Sequence, residues 1–348
     1  MGIRELARLL NLSTYTVSRA LNGHADVNEE TRRRVVEAAE RVGYSPSQSG
    51  RSLREGTANA VAVVLSFDRA DQRVPFFMMI GRGIQAGLRP RGYDLVLHFI
   101  APGEDSLSQV RHIVERRLAD GIILAETLPD DFRVSYLVEK SFPFITLGRT
   151  LAGDTHPWID LDFESAVAQS LSRLTSFGHR RIGLATGSPR LMFDQIVRES
   201  YTREMRARDL GPDPMLMLEG PPDQAGGQSL TERFLALAEP PTAIVFSHES
   251  SATGAYRGLA DAGLQPGRDV AILSCTADSS TAQFLVPSLT CFGLDGLHLG
   301  QRLAEELLAL IPARGVPPSV HEVQSLWPWT LIARESDACQ PRTVPVEG

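Results

Sequence analysis

Apolar residues recur at three- and four-residue spacing from Ile3 to Val42, and short apolar runs then alternate with amphipathic stretches to the end of the chain. Ile3, Leu6, Ala7 and Leu10 predict a helix over residues 3–10, followed by a turn at Asn11-Leu12. Ser13 is placed to cap a second helix, with Thr16 in its first turn. Val17, Ala20 and Leu21 fall on one face of that helix, and Thr14, Tyr15, Ser18 and Arg19 fall on the other. Gly23 would end it. A third helix starts at Asn28, carries Glu29 and Glu30 at its positive end, buries Val35, Ala38, Ala39 and Val42, and closes at Gly43. Two short helices followed by an arginine-rich one give the profile of a helix-turn-helix, whose second helix enters the major groove of DNA.

From Ala60 the period changes. Strands are expected at Val61–Leu65, Asp94–Phe99, Gly121–Ala125, Phe144–Leu147, Arg181–Ala185, Met215–Leu218, Ala243–Phe246, Val270–Ser274 and Thr290–Phe292. The helices between them include 76–89, 105–118, 163–177, 196–209, 226–238, 250–262 and 296–310. Repeated β-α units predict an α/β body of parallel sheets with helices on both faces. So many strands imply two sheets, with a ligand cleft at the C-terminal ends of their strands.

Composition refines this picture. The 348 residues are 43% hydrophobic and 22% charged, ordinary for a globular protein of two or three domains. Residues 1–57 hold nine arginines against seven acidic residues, a net of +2, while the whole chain carries −7. A slightly basic head on an acidic body confines DNA contact to the head. The expectation is a cytoplasmic protein: no apolar run reaches a membrane span, and no leader pattern opens the chain. Cys275, Cys291 and Cys339 are too scattered for a disulfide framework or zinc site, so idle thiols, no metal and no cofactor are expected.

Several segments are more specific. S-x-x-T-V-S-R-x-L-N-G begins at Ser13, V-x-E-x-T-R-x-R-V at Val27, G-Y-x-P at Gly43 and R-S-L-R at Arg51, without a gap between them. Together they closely resemble the LacI/GalR family of bacterial transcription regulators. The resemblance implies base-reading roles for Thr14, Tyr15 and Arg19 and phosphate contacts for Thr16, Ser18 and Asn22. It implies that Leu53 is the hinge-helix residue that wedges between base pairs in the minor groove. Ser49-Gly50 departs from the family's apolar-alanine pair before R-S-L-R, which implies a labile hinge, and Gly2 stands where a threonine cap is common.

The resemblance continues more weakly through Pro75-Phe76-Phe77, Phe177-Gly178-His179-Arg180-Arg181-Ile182, Pro241-Thr242-Ala243, Ala252-x-Gly254-Ala255, Pro287-x-Leu289-Thr290 and Leu299-Gly300. It implies a two-lobed core like a type I periplasmic binding protein, with crossings between lobes near residues 159, 290 and 322. The domains are then a helix-turn-helix at 1–45 and a hinge helix or linker at 46–58. An N-terminal lobe follows at 59–158 plus 290–321, with a C-terminal lobe at 159–289 plus 322–335 and a flexible tail at 336–348.

Sugar clefts set aromatic faces against C–H surfaces and polar side chains against hydroxyls. The candidate effector residues are Phe76 and Phe77 at the family's aromatic position, Arg149 just after a strand, Arg198, His248 and Thr276. For the two phenylalanines, core packing is the plainer alternative; for Arg149 and His248 it is an exposed loop. His248-Glu249 replaces the usual Asn-Asp, and Ser274-Cys275-Thr276-Ala277 replaces an element whose aspartate often binds sugar. The family's ligand arginine would fall on Val197, with Arg198 adjacent.

Other motifs carry less. Gly81-Arg82-Gly83-x-x-x-Gly87 lies within a helix and reads as helix packing rather than a dinucleotide loop. Asp160-x-Asp162 reads as a cap for the helix at Phe163, and His179 as polar punctuation before a strand.

The chain is therefore expected to be no enzyme but a regulator, a repressor of sugar uptake or catabolism genes. Its partners would be pseudo-palindromic double-stranded operator DNA, a sugar-like effector and a second copy of itself, with no membrane. The absence of a leucine heptad after Glu335 favours a homodimer over a tail-assembled tetramer. The competing readings are an α/β sugar-processing or nucleotide-dependent enzyme with an accessory head, and a solute-binding protein. The first lacks a phosphate loop, triad or carboxylate pair, and the second would have no head.

Overall fold

The computed structural model describes residues 2–21, 26–43, 57–66, 74–101, 103–151, 156–187, 190–276, 280–312 and 323–341. Asn22, Gly23, Leu53 and most of the hinge segment, Ser49-Gly50 included, lie outside the described residues. The chain forms two units, Met1–Asn59 and Ala60–Gly348.

The first unit holds α1 (Ile3–Leu10), α2 (Thr14–Leu21) and α3 (Glu29–Arg41). Ser13 Oγ accepts from the Thr16 amide at 2.9 Å, and Asn28 Oδ1 accepts from the Thr31 amide at 2.7 Å. Each satisfies an amide that the helix itself cannot bond. Gly2 has no capping side chain; the Glu5 carboxylate instead accepts from the Gly2 amide at 2.9 Å. Leu6, Ala7, Val17, Ala20, Val35, Ala38 and Ala39 form the core, with Ile3, Leu10, Leu21 and Val42 packed around it.

In the second unit the first lobe is built from β1 (Ala60–Ser66), α4 (Val74–Leu88), β2 (Asp94–Ile100), α5 (Ser106–Arg116), β3 (Gly121–Leu124), α6 (Phe132–Glu139), β4 (Phe144–Leu147) and β5 (Trp158–Leu161). The second lobe comprises α7 (Phe163–Ser176), β6 (Ile182–Thr186), α8 (Met192–Ala207), β7 (Met217–Glu219), α9 (Gln224–Leu235), β8 (Ala243–Phe246), α10 (Glu249–Asp261), β9 (Ala271–Ser274), α11 (Ser280–Phe284) and β10 (Cys291–Gly293). The chain returns to the first lobe with α12 (Gly296–Leu310) and β11 (Gln324–Trp327), and β12 (Thr330–Ile332) pairs antiparallel with β10.

The two large sheets are parallel, ordered β11-β5-β4-β3-β1-β2 and β7-β6-β8-β9. β1 illustrates why its sequence is an unbroken apolar run: Val61, Val63 and Leu65 pack into one core cluster, while Ala62 and Val64 pack into another on the opposite face. α12 lies along α4 at glycine-permitted distance. A Cβ on Gly83 would sit 2.1 Å from the Leu297 carbonyl oxygen and one on Gly87 2.8 Å from Ala304 Cβ, so these two glycines of the motif serve helix packing, while Gly81 faces open space.

Several sequence expectations need correction. The sequence does not predict α6, α11, β5, β11 or β12, and β7 begins only at Met217 because Pro214–Leu216 form a 3-10 turn capped by Asp213. β5 and β11 pair with each other in the first sheet, so the first crossing follows Leu161 rather than residue 159. By the same pairing the last crossing follows Trp327 rather than residue 322. The tail does not begin at residue 336. Ser336 and Asp337 are fully buried: Ser336 Oγ donates to the Ile272 carbonyl at 2.6 Å, and Asp337 accepts from Thr290 Oγ1 at 2.7 Å and pairs with Arg173 at 2.5 Å. The punctuating His179 is buried against this segment, between Thr242 Oγ1 at 2.8 Å and the Cys339 carbonyl at 2.9 Å.

Candidate functional site

Two surfaces carry chemistry, one on each unit. On the head, α2 turns Val17 and Ala20 inward, which leaves Thr14 and Tyr15 exposed. Arg19, one turn along, lies with its guanidinium carbon 5.3 Å from the Tyr15 ring centre. Its Nη1 donates to the Tyr15 hydroxyl at 3.1 Å and its Nη2 to Asp26 at 2.6 Å. Ser18 is half-buried, and so is Thr16, whose hydroxyl lies 2.8 Å from that of Ser13. The proposed base readers therefore share one face. Asn22 and Leu53 lie outside the described residues.

On the core, the segments after β3, β4, β6, β8 and β9 converge on a cleft of about 740 Å³. This is where the strands of open α/β sheets end and ligands bind. Phe76, Phe77, Arg149, His248 and Thr276 all line it. Arg149 is delivered by Gly148, which follows β4 at φ +112° with its Cα against the Thr127 hydroxyl; a Cβ there would lie 2.6 Å from that oxygen. Thr127 Oγ1 in turn donates to the Arg149 carbonyl at 2.8 Å. The rim before it is fixed by a buried pair in which Arg133 Nη2 meets Asp131 at 2.6 Å and also donates to the Glu126 carbonyl at 3.0 Å.

Arg198 does not line the cleft. It sits more than a turn beyond the start of α8, and its Nη1 pairs with Glu219 at 2.6 Å. Val197 is fully buried in the core. The first turn of α8 supplies Met192 and Phe193 to the cleft wall instead.

The cleft holds groups that the sequence reading missed. An aromatic line crosses its floor: Phe77, Phe76, Trp329, Phe163, Phe193 and His248, with successive ring centres 5.4, 6.4, 5.9, 5.2 and 5.1 Å apart. These residues come from segments far apart in the chain, so no local motif brings them together. Asp162 does cap α7, accepting from the Ser165 amide at 2.9 Å. Asp160 has a different role. It lies on β5, ion-paired with Arg149 Nε at 3.0 Å, and burial pushes its carboxyl up to about 6 against the pull of that arginine. Arg149 also pairs with Glu164. His248 caps no amide; it stands edge-on to Phe193, with Nε2 3.7 Å from Asp194. His248 Nε2 and Trp329 Nε1 are both buried and make no hydrogen bond among the described residues.

Residues 2–47 match the model of the family described as bacterial regulatory proteins, lacI family, and residues 171–336 match a periplasmic binding protein-like domain. Among curated proteins, the HTH-type transcriptional regulator AglR of Rhizobium meliloti is 31% identical over 99% of this chain and 97% of its own length. The HTH-type transcriptional regulator RafR of Escherichia coli is 32% identical over 78% of this chain and 80% of its length. The fold matches that of the lac repressor dimer bound to operator and an anti-inducer (TM-score 0.86, 21% identity, 97% of this chain and 99% of that one). It also matches the transcriptional regulator CelR in complex with cellobiose (TM-score 0.73, 24% identity, 97% and 99%).

Proposed function

The chain belongs to the lacI family of bacterial regulatory proteins and is an HTH-type transcriptional regulator; we propose that it represses sugar uptake or catabolism genes and that a sugar bound in the core cleft sets its operator affinity. The observation that carries this reading is the presence, in one chain, of a helix face formed by exposed Thr14 and Tyr15 with half-buried Arg19 and of an α/β unit whose strand ends enclose an aromatic-floored cleft. Arg19 is the base reader: a bidentate contact to guanine discriminates by about 1–3 kcal/mol. Its pair with Asp26 is at the surface, where solvent screens it, and yields to such a contact. Thr16, Ser18 and Asn22 hold phosphates, and Leu53 wedges the minor groove.

Phe76, Phe77, Arg149, His248 and Thr276 contact the effector, together with Trp329 and Phe193. Arg198 supports α8 without touching the ligand. A ligand that prefers one arrangement of the lobes shifts their population in proportion to that preference.

One head reads only a half-site, so the working form is a homodimer. β2 is an edge strand of the first sheet, and with α4 it borders an apolar groove that includes Met78, Leu95, Leu97 and Phe99. Met78 and Phe99 are more than half exposed, which suits a face that a second copy covers.

Selection from random duplexes, followed by anisotropy titration, tests the proposal. A recovered pseudo-palindrome whose affinity changes when a sugar is added supports it. Recovery of no common sequence contradicts it.

A further inference from the structure

Resting on the reading of the cleft as the effector sensor, we infer that its ligand is a neutral oligosaccharide, a di- or trisaccharide carrying neither phosphate nor carboxylate. Among the described residues that line the cleft, Arg149 is the one arginine and there is no lysine. Asp160 and Glu164 both hold that guanidinium. Glu126, Asp160, Glu249 and Asp295 stand around the same space.

An anionic group would have to take Arg149 from its two carboxylates. It would then leave the buried Asp160 unpaired, beside other negative charges. Hydrogen-bond chemistry gives the same result independently. Ionised carboxylates only accept, and so do phosphates; a hydroxyl both donates and accepts. Hydroxyls can therefore donate to the acidic wall and accept from the buried N–H of Trp329, which has no hydrogen-bond partner among the described residues.

The ligand's length follows from the aromatic floor. Six rings, from Phe77 to His248, line the cleft, more ring surface than the two faces of a single pyranose can meet. The volume of about 740 Å³ falls in the upper part of the range for small-molecule sites. Rings linked end to end offer successive C–H faces to such a floor, while their hydroxyl edges meet the acids and donors.

Thermal shift and calorimetry on the full-length protein test this with matched probes. The neutral set is maltose, cellobiose, melibiose and maltotriose; the anionic set is maltose 6′-phosphate, cellobionate and digalacturonate; glucose and galactose are the single-ring controls. A neutral di- or trisaccharide should raise the melting temperature and bind at least tenfold more tightly than any anionic or single-ring probe. Its affinity should change less than about twofold between low and high salt, because no net charge is neutralised. An anionic probe or monosaccharide that bound as tightly would overturn the inference while leaving the cleft as a sensor. If no probe of any class shifted the melting temperature while operator binding persisted, the sensor reading itself would fail, and this inference with it.

Discussion

Arg19 and Asp160 are both ion-paired, yet solvent makes their pairs behave differently. The Arg19–Asp26 contact is at the surface, where the pair contributes little and is readily exchanged for another partner. Arg19→Ala should therefore leave the fold intact and cost about 1–3 kcal/mol at one symmetric base position of the operator. Equal weakening on every sequence, measured by anisotropy across single-base variants, would instead make it a phosphate contact. Asp160 is buried, and its folded pKa of about 6 lies above the unfolded value. The folded state holds the proton more tightly, so this group's contribution to stability is lost as pH rises through about 6. Asp160→Asn keeps the neutral shape, and Glu164 still pairs with Arg149. Its melting temperature relative to wild type should rise between pH 5 and pH 7.5; a constant difference would mean Asp160 does not titrate there. Asp160 was legible as an acid near a helix start, but its ion-pair partner Arg149 was not legible from spacing, because β4, which Arg149 follows, meets β5 only in the sheet.

At the level of elements, the sequence was most readable where structure is local. The three head helices start where expected because their caps, Ser13 and Asn28, and their apolar faces lie within a few residues of each other. β5 escaped notice because four residues with an aspartate among them show no period, and β11 because Gln324, Ser325 and Leu326 are exposed. α6 buries Arg133 and Tyr136 beside Val134 and Leu137, which blurs its apolar stripe. The segment after Glu335 looked like a polar end because the partners of Ser336 and Asp337 lie on β9, α7 and the strand-entering Thr290. Asp337→Ala should cost about 3 kcal/mol, read from urea unfolding, since Arg173 and Thr290 lose their acceptor. The lower end of the usual range for breaking a buried pair applies, because Arg173 keeps some contact with solvent. A loss below about 0.5 kcal/mol would mark the segment as a dispensable tail.

For the whole molecule, the parallel sheets and the cleft at their strands' C-terminal ends followed from the β-α alternation, because parallel strands present those ends on one side; the strand order did not. The cleft's composition did not follow, since Phe163, Phe193 and Trp329 converge from three separate segments. The proposed dimer can be tested through β2: Phe99→Asp places a charge on the exposed edge face and should yield a monomer by light scattering. Losing the second head should lower operator affinity by about a hundredfold or more; a variant that remained dimeric would move the interface elsewhere. The most direct measurement of the central claim is a titration of full-length protein on its selected operator, with and without a sugar that raises its melting temperature. A ligand-controlled regulator gives specific binding whose affinity changes at least tenfold with the sugar and is unchanged by a non-binding isomer. Operator affinity that stays the same with the cleft saturated would contradict the account.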